Sequence, residues 1–222
     1  KTAYNGLLGA VKNNDISVDR IEESVLRIIC MKLKYGINDY KASNKNIEKE
    51  LKEHEEFNQE LADSALTLVK GEYSIKPSEK VLIVSSSTTY NPGYNSFSEY
   101  ATKILKEKGY NVTSKVVSDN ITTNEYNDIM NIINEFDKVI IALSNVGKFH
   151  YDASKRFVNE ISSKLKDDLL VIALFNPYDI LAYSDISNYI CVYCDQLESH
   201  NALIKYLMGE LTPKGVLPVR FE

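Results

Sequence analysis

The sequence contains no tryptophan, few cysteines and no apolar run of membrane-spanning length. Each shortage closes a class of protein. Three cysteines are an odd count in a chain of 222 residues, a size at which a hydrophobic core rather than a disulfide framework holds the fold. The longest apolar runs, 169–175 and 139–143, fall far short of the roughly 20 residues that cross a bilayer. No membrane segment is expected. The formal net charge is -5 and no basic cluster stands out, so the long-range field that draws a phosphate backbone is missing and nucleic acid is not an expected partner. The lack of Trp removes the strongest sugar-stacking side chain, although 15 Tyr and 7 Phe remain. No period of 20–50 residues recurs and no low-complexity tract appears, which excludes a repeat architecture.

Two of the cysteines spell Cys191-Val192-Tyr193-Cys194. The redox chemistry of such a pair wants a helix N-terminus to stabilise a thiolate, whereas these lie in a strand-like run. Residues three apart on a strand point to opposite faces, and no second pair supplies the remaining ligands of a zinc site. A buried structural role is expected, with no metal and no cofactor. The chain opens on Lys1 without a leader pattern, and Leu7 and Leu8 already follow a helical rhythm. It is expected to be a piece of a longer polypeptide, and the sequence assigns no compartment.

The hydrophobic residues, 44% of the chain, fall into two textures. Ile16 and Ile21 flank Ser17 at the spacing of a hydrophobic staple around an N-cap, and Ile21, Val25, Ile28, Ile29 and Leu33 continue with helical period until Gly36. This predicts a helix of about five turns. From 40 to 56 the composition turns highly charged, with Ile47, Leu51, His54, Leu61, Ala65 and Leu68 keeping a rough helical stripe. That reads as a linker entering a second long helix, whose end at 66–69 is equally readable as a short extended segment before Gly71. After Pro77 apolar runs at 81–84, 112–117, 139–143, 169–175 and 189–193 alternate with amphipathic stretches at 97–108, 125–136, 153–165 and 202–208. Strands alternating with helices predict a parallel sheet covered on both faces. Residues 217–221 are expected to add a last edge strand. The fold class is therefore α/β, a three-layer sandwich with a mostly parallel sheet of about six strands.

In open parallel sheets ligands gather at the carboxyl ends of strands, which directs attention to Ser85-Ser86-Ser87-Thr88, Ser144-Asn145-Val146-Gly147 and Asn176-Pro177-Tyr178-Asp179. The first lacks the glycines and the Gly-Lys-Ser/Thr ending of a phosphate loop. No G-x-S-x-G elbow accompanies the three histidines. His54 falls on the helical stripe, His150 opens a helix beside Lys148, and His200 sits among surface-like residues, so a structural or solvated role is expected for each. A glycosidase needs two facing carboxyl groups, and 31 acidic residues supply candidates without selecting any. Asp152 and Asp179 are the least bland, although Asp152 is also a natural N-cap for the helix that follows.

Three stretches resemble family 3 glycoside hydrolases, in an order that spans nearly the whole chain. The first runs from Ile16 through Ser17, Asp19, Arg20, Ile21 and Val25 to Arg27, Ile28 and Lys32, and is similar to the helix that ends the family's barrel. The second comprises His54, Ala62, Ser64, Leu66, Leu68, Val69 and Lys70, similar to the segment entering the second domain. It departs from the family's asparagine and Leu-Pro pair, with Gly71 and Lys76-Pro77 in their place. The third is Asn176-Pro177-Tyr178-Asp179 together with the ending Gly-Glu-Leu-Thr-Pro-Lys-Gly-Val-Leu-Pro-Val at 209–219. The Asn-Pro-Tyr-Asp form looks more like the β-N-acetylglucosaminidase branch than the β-glucosidase branch.

The resemblance implies helices from the end of a barrel at 1–37, a linker and connecting helix at 38–76, and an α/β sandwich domain at 77–222. It implies that the partner is a barrel domain of the same polypeptide and that the substrates are N-acetylglucosamine-containing glycans such as cell-wall fragments. In that family the nucleophilic aspartate, and in the acetylglucosaminidase branch the acid/base Asp and His, lie on the barrel, whose Lys-His-Phe-Pro-Gly-His-Gly type of motif has no counterpart here. No catalytic residue is carried over, and this chain alone is expected to be inactive. Ser144, Asn145, Asn176, Tyr178 and Asp179 are candidates to face the barrel's cleft from loops 85–95, 144–150 and 176–179. Two other readings stand beside this one. One is an independent small-ligand or sugar-binding α/β module. The other is the second domain of a β-glucosidase-type parent that supplies an acid/base carboxylate, with Glu160 the first to test.

Overall fold

The computed structural model describes residues 1–37, 47–87 and 96–220. The chain divides into two compact units, Lys1–Ile47 and Glu48–Glu222. The first holds helices α1 (Thr2–Lys12) and α2 (Val18–Lys34). Ser17 is the N-cap of α2, with extended backbone and its hydroxyl accepting the Arg20 N–H at 3.2 Å, as the staple pattern predicts. Gly36 adopts φ +62° just past the helix end, a left-handed stop that costs glycine nothing. Neither helix buries a single residue. Val25, Leu26, Ile28, Ile29 and Leu33 of α2 are all exposed, and Leu7, Leu8, Val11, Val18 and Ile21 line an apolar groove within this unit.

The second unit is a three-layer α/β sandwich. It begins with α3 (Ile47–Ala65) and continues through β1 (Thr67–Lys70), β2 (Lys80–Ser86), α4 (Phe97–Glu107), β3 (Asn111–Val117), α5 (Thr123–Ile132), β4 (Lys138–Leu143), α6 (Asp152–Leu165), β5 (Leu169–Ala173), β6 (Asn188–Cys191) and α7 (Leu197–Leu207). The six strands form one sheet in the order β1-β6-β5-β4-β2-β3. All neighbours are parallel except β1 and β6, which pair antiparallel.

The run Val81-Leu82-Ile83-Val84 explains the layering. Each of these residues is fully buried, and alternate side chains serve opposite faces. Val81 and Ile83 join Ile140, Ile172 and Ile190 under Phe97, Ala101 and Leu105 of α4 and Leu203 and Leu207 of α7. Leu82 and Val84 join Ile141, Val171 and Tyr189 under Ile129 of α5 and Phe157, Val158 and Ile161 of α6. A strand sandwiched between helices must be apolar on both sides, which is why these runs read as continuous hydrophobic stretches.

The sixth strand is not the one expected from the sequence. Residues 217–220 form no strand, and Phe221 lies outside the described residues. The antiparallel edge is instead Thr67–Lys70. Pro213 and Pro218 have no N–H to give a ladder, and the ending crosses the α3–β1 junction as a strap, with the Gly215 N–H donating to the Leu66 carbonyl at 3.0 Å. A Cβ on Gly215 would stand 2.3 Å from Thr67 Oγ1 and 2.4 Å from the Ala65 carbonyl oxygen. Gly71, with φ +67°, is packed as closely against Asn188.

Nearly all of α3, together with β1, belongs to the same compact unit as the sandwich. Helix α3 is tied to α7 by the Lys205–Asp63 ion pair at 2.6 Å and by Asn201 Nδ2 donating to Gln59 Oε1 at 3.0 Å. The linker reading at 38–46 lies outside the described residues.

Candidate functional site

The carboxyl ends of β4 and β5 are joined by one buried side chain. After β4 the chain passes through Ser144, Asn145 (φ 55°), Val146, Gly147, Lys148, Phe149 and His150 (φ 53°) before α6 begins. After β5, Asn176 caps a short 3-10 helix, Pro177–Ala182, by accepting the Tyr178 N–H on its side-chain oxygen at 3.1 Å. Proline at the first helical position needs no acceptor, so this start is locally encoded. The third residue of that helix, Asp179, is 1% exposed. Its carboxylate accepts the Val146 N–H at 3.1 Å and the Gly147 N–H at 3.0 Å. Burial pushes this carboxyl above the ordinary aspartate range, opposed by the N–H groups of Gly147, Val146 and Asn145.

Beside this clamp lies a cavity of about 520 Å³ lined by Val146, Gly147, Lys148, His150 and Tyr151 from the connection after β4, by Asp152 and Lys155 of α6, and by Asn176, Tyr178, Leu181 and Ala182 from the segment after β5. Its size is that of a small-molecule site. Of the five residues singled out in the sequence, Asn176 and Tyr178 line it. Ser144 and Asn145 do not, and Asp179 turns its carboxylate to the backbone rather than into the cavity. Lys148 and Lys155 also line the cavity, and the sequence alone does not single them out. The available signal was two lysines bracketing the connection from an apolar strand into a helix.

The other carboxylates are accounted for differently. Asp152 is the first residue of α6, whose N-cap is Tyr151, so it does not cap the helix as expected. Glu160 lies on α6, where it accepts hydrogen bonds from Lys164 Nζ at 2.7 Å and from the Tyr126 hydroxyl. The Lys164 ammonium, then Tyr126, hold its carboxyl below the usual range, the opposite of what a general acid needs.

His200 takes the structural of its two expected roles. It is fully buried, not solvated, with Nε2 2.6 Å from Asp195 Oδ1 and its ring edge-on to Phe97 at 5.1 Å. Helix α7 begins two residues after Asp195 and folds back over it, bringing the two side chains together without access to solvent. His54 is exposed, and His150 sits exposed in the turn before α6 rather than in the helix. All three cysteines are free. Burial, then the Asp179 charge, pushes the Cys191 thiol up to about 12, so it has no thiolate character at neutral pH. Tyr193 has φ 61°, so Cys194 lies beyond the strand rather than within it. Ser85, near the end of β2, belongs to packing, its Oγ accepting the Ser98 N–H at 2.9 Å at the start of α4. Of the loop that follows, 88–95 lies outside the described residues.

Among the described residues no group of three His, Cys, Asp or Glu side chains is placed to hold a metal ion, and no helix is long and apolar enough to cross a membrane.

Against solved structures, the chain superposes on a glycoside hydrolase family 3 β-N-acetylglucosaminidase from Paenibacillus sp. str. FPU-7. The TM-score is 0.72 at 21% identity, over 96% of this chain and 42% of that one. The fold is that of part of a family 3 glycoside hydrolase. A fungal multi-domain β-N-acetylglucosaminidase of the same family gives a TM-score of 0.70 at 22% identity, over 98% of this chain and 25% of that one. The β-glucoside phosphorylase BglX gives 0.64 at 22% identity, over 98% and 41%. This chain thus spans less than half the length of the solved chains it matches. No protein-family model matches the sequence, and no curated protein matches it either.

Proposed function

We propose that this chain is the non-catalytic C-terminal part of a family 3 glycoside hydrolase of the β-N-acetylglucosaminidase type, which packs on a barrel domain of the same polypeptide. The observation that carries this reading is the superposition at TM-score 0.72 over 96% of the chain, on less than half of a β-N-acetylglucosaminidase. The unburied apolar face of α2 supports it, because helices that bury nothing of their own and expose Leu26, Ile28, Ile29 and Leu33 need a partner surface. The parent's substrates are N-acetylglucosamine-containing glycans, and the loops after β4 and β5 trim the cleft in which the barrel performs the chemistry.

Paired substitutions Leu26→Asp and Ile29→Asp test the packing. In the longer polypeptide they are expected to lower glycosidase activity at least tenfold or to prevent soluble expression, while the 222-residue chain keeps its unfolding midpoint. Full activity of the doubly substituted parent would overturn the assignment of this face to the barrel.

A further inference from the structure

We propose that the cavity beside Asp179 binds a sugar-sized ring that carries an oxyanion, with Lys148 and Lys155 as the groups that recognise the charge. The chain as a whole is acidic, with 31 Asp and Glu against 26 Lys and Arg. The cavity inverts that balance. Its charged lining consists of Lys148, Lys155 and one acid, Asp152, with the His150 imidazole as a further hydrogen-bonding group. Among the described residues neither lysine has a carboxylate partner. The Lys148 ammonium lies 5.2 Å from the centre of the Phe149 ring, an aromatic contact that positions a cation without neutralising it. Two ammonium groups against one carboxylate leave the concave space with a positive balance, which favours an anion.

The rest of the lining sets the size and character of what the anion is attached to. Tyr178 is 44% exposed and Leu181 60% exposed at the cavity, which offers an aromatic ring and an aliphatic surface for the apolar face of a sugar. Asn176 has its side-chain oxygen committed to the Tyr178 N–H, which fixes the residue at the pocket wall. A volume of about 520 Å³ accommodates one or two rings rather than a long glycan. The start of α6 is not itself the anion site, since the Ala153 N–H is taken by Asn120 Oδ1 at 3.2 Å. The recognition falls to the lysine side chains.

This inference rests on the pocket alone, not on the parentage proposed above, and its failure would leave the hydrolase reading standing. Titration calorimetry of the 222-residue chain with glucuronate, glucose 6-phosphate, glucose and inorganic phosphate separates the sources of charge. At least one acidic sugar is expected to bind ten times or more tighter than glucose and than inorganic phosphate, and the two acidic sugars tell carboxylate from phosphate. Lys148→Ala and Lys155→Ala are each expected to weaken that binding about tenfold, the effect of losing one charge-assisted hydrogen bond. Lys115→Ala, on the distant strand β3, is expected to leave it unchanged. Equal binding of glucose and the acidic sugars overturns the proposal. So do inorganic phosphate binding as tightly as either acidic sugar, no saturation by either acidic sugar up to about 10 mM, or binding unaltered in the double lysine variant.

Discussion

Asp179 accepts the Gly147 N–H at 3.0 Å, and through this bond the segment leaving β5 holds the segment leaving β4. The Asn-Pro-Tyr-Asp motif is therefore a structural device in this chain. Asn176 and Pro177 start the short helix, and that helix delivers Asp179 to two backbone donors, the buried Val146 N–H and the part-buried Gly147 N–H. Replacing Asp179 by Ala leaves the buried Val146 N–H and the part-buried Gly147 N–H without this acceptor, at a cost of about 1–3 kcal/mol for a buried group. Urea unfolding is expected to show a loss of about 3 kcal/mol for Asp179→Ala and a smaller loss for Asp179→Asn, which retains one acceptor oxygen.

The same residue gives a pH dependence with a definite sign. Burial raises its carboxyl in the folded chain, so the folded state takes up the proton more readily than the unfolded one. The associated stabilisation is complete below about pH 4, the ordinary aspartate value, and declines as pH rises through the folded pKa. The stability advantage of the unsubstituted chain over Asp179→Asn is therefore expected to shrink between pH 4 and pH 7 in urea titrations. An advantage that grows over that interval would show the carboxyl to be lowered instead.

The ending of the chain makes a steric prediction. Gly215 approaches Thr67 and the carbonyl groups of Ala65 and Leu66 too closely for any Cβ. Gly215→Ala is expected to cost about 1–3 kcal/mol through overpacking, whereas Gly109→Ala, at φ +86° with nothing within 4 Å, pays only for left-handed backbone, about 1 kcal/mol. Thermal unfolding of the two variants side by side reads the difference.

Much of the sandwich was legible because its strands are buried on both faces, so Val81-Leu82-Ile83-Val84 and its neighbours stand out as unbroken apolar runs. The edge strand Thr67–Lys70 was less legible, since it is four residues long with one fully buried position and follows a helix with hardly a break. Residues 217–221 looked more strand-like, yet the prolines and Gly215 suit a strap rather than a ladder. The site divided in the same way. Asn176 and Tyr178 stand out in the sequence by their place at a strand end, and they line the cavity. Lys148 and Lys155 were passed over because isolated lysines resemble solvated surface until the topology brings them around one cavity. For His200 the polar neighbours Glu198 and Asn201 leave a structural and a solvated role both open in the sequence, and the turn from Asp195 into α7 puts it inside.

That buried pair yields a further prediction. His200→Ala removes the hydrogen bond to Asp195 and empties the buried space beside Phe97, and a large-to-small change in a core costs about 2–5 kcal/mol. A loss of about 3 kcal/mol or more in urea unfolding is expected, without any change in sugar binding at the distant pocket.

On the function proposed above, this chain shapes a glycosidase cleft without performing the reaction. The most direct measurement is the release of p-nitrophenol from the β-N-acetylglucosaminide by the purified 222-residue chain, beside the longer polypeptide that adds a barrel. The account predicts release by the longer polypeptide and none above buffer by the chain alone. Turnover by the isolated chain that disappears on substitution of Asp152 or Glu160 would contradict it.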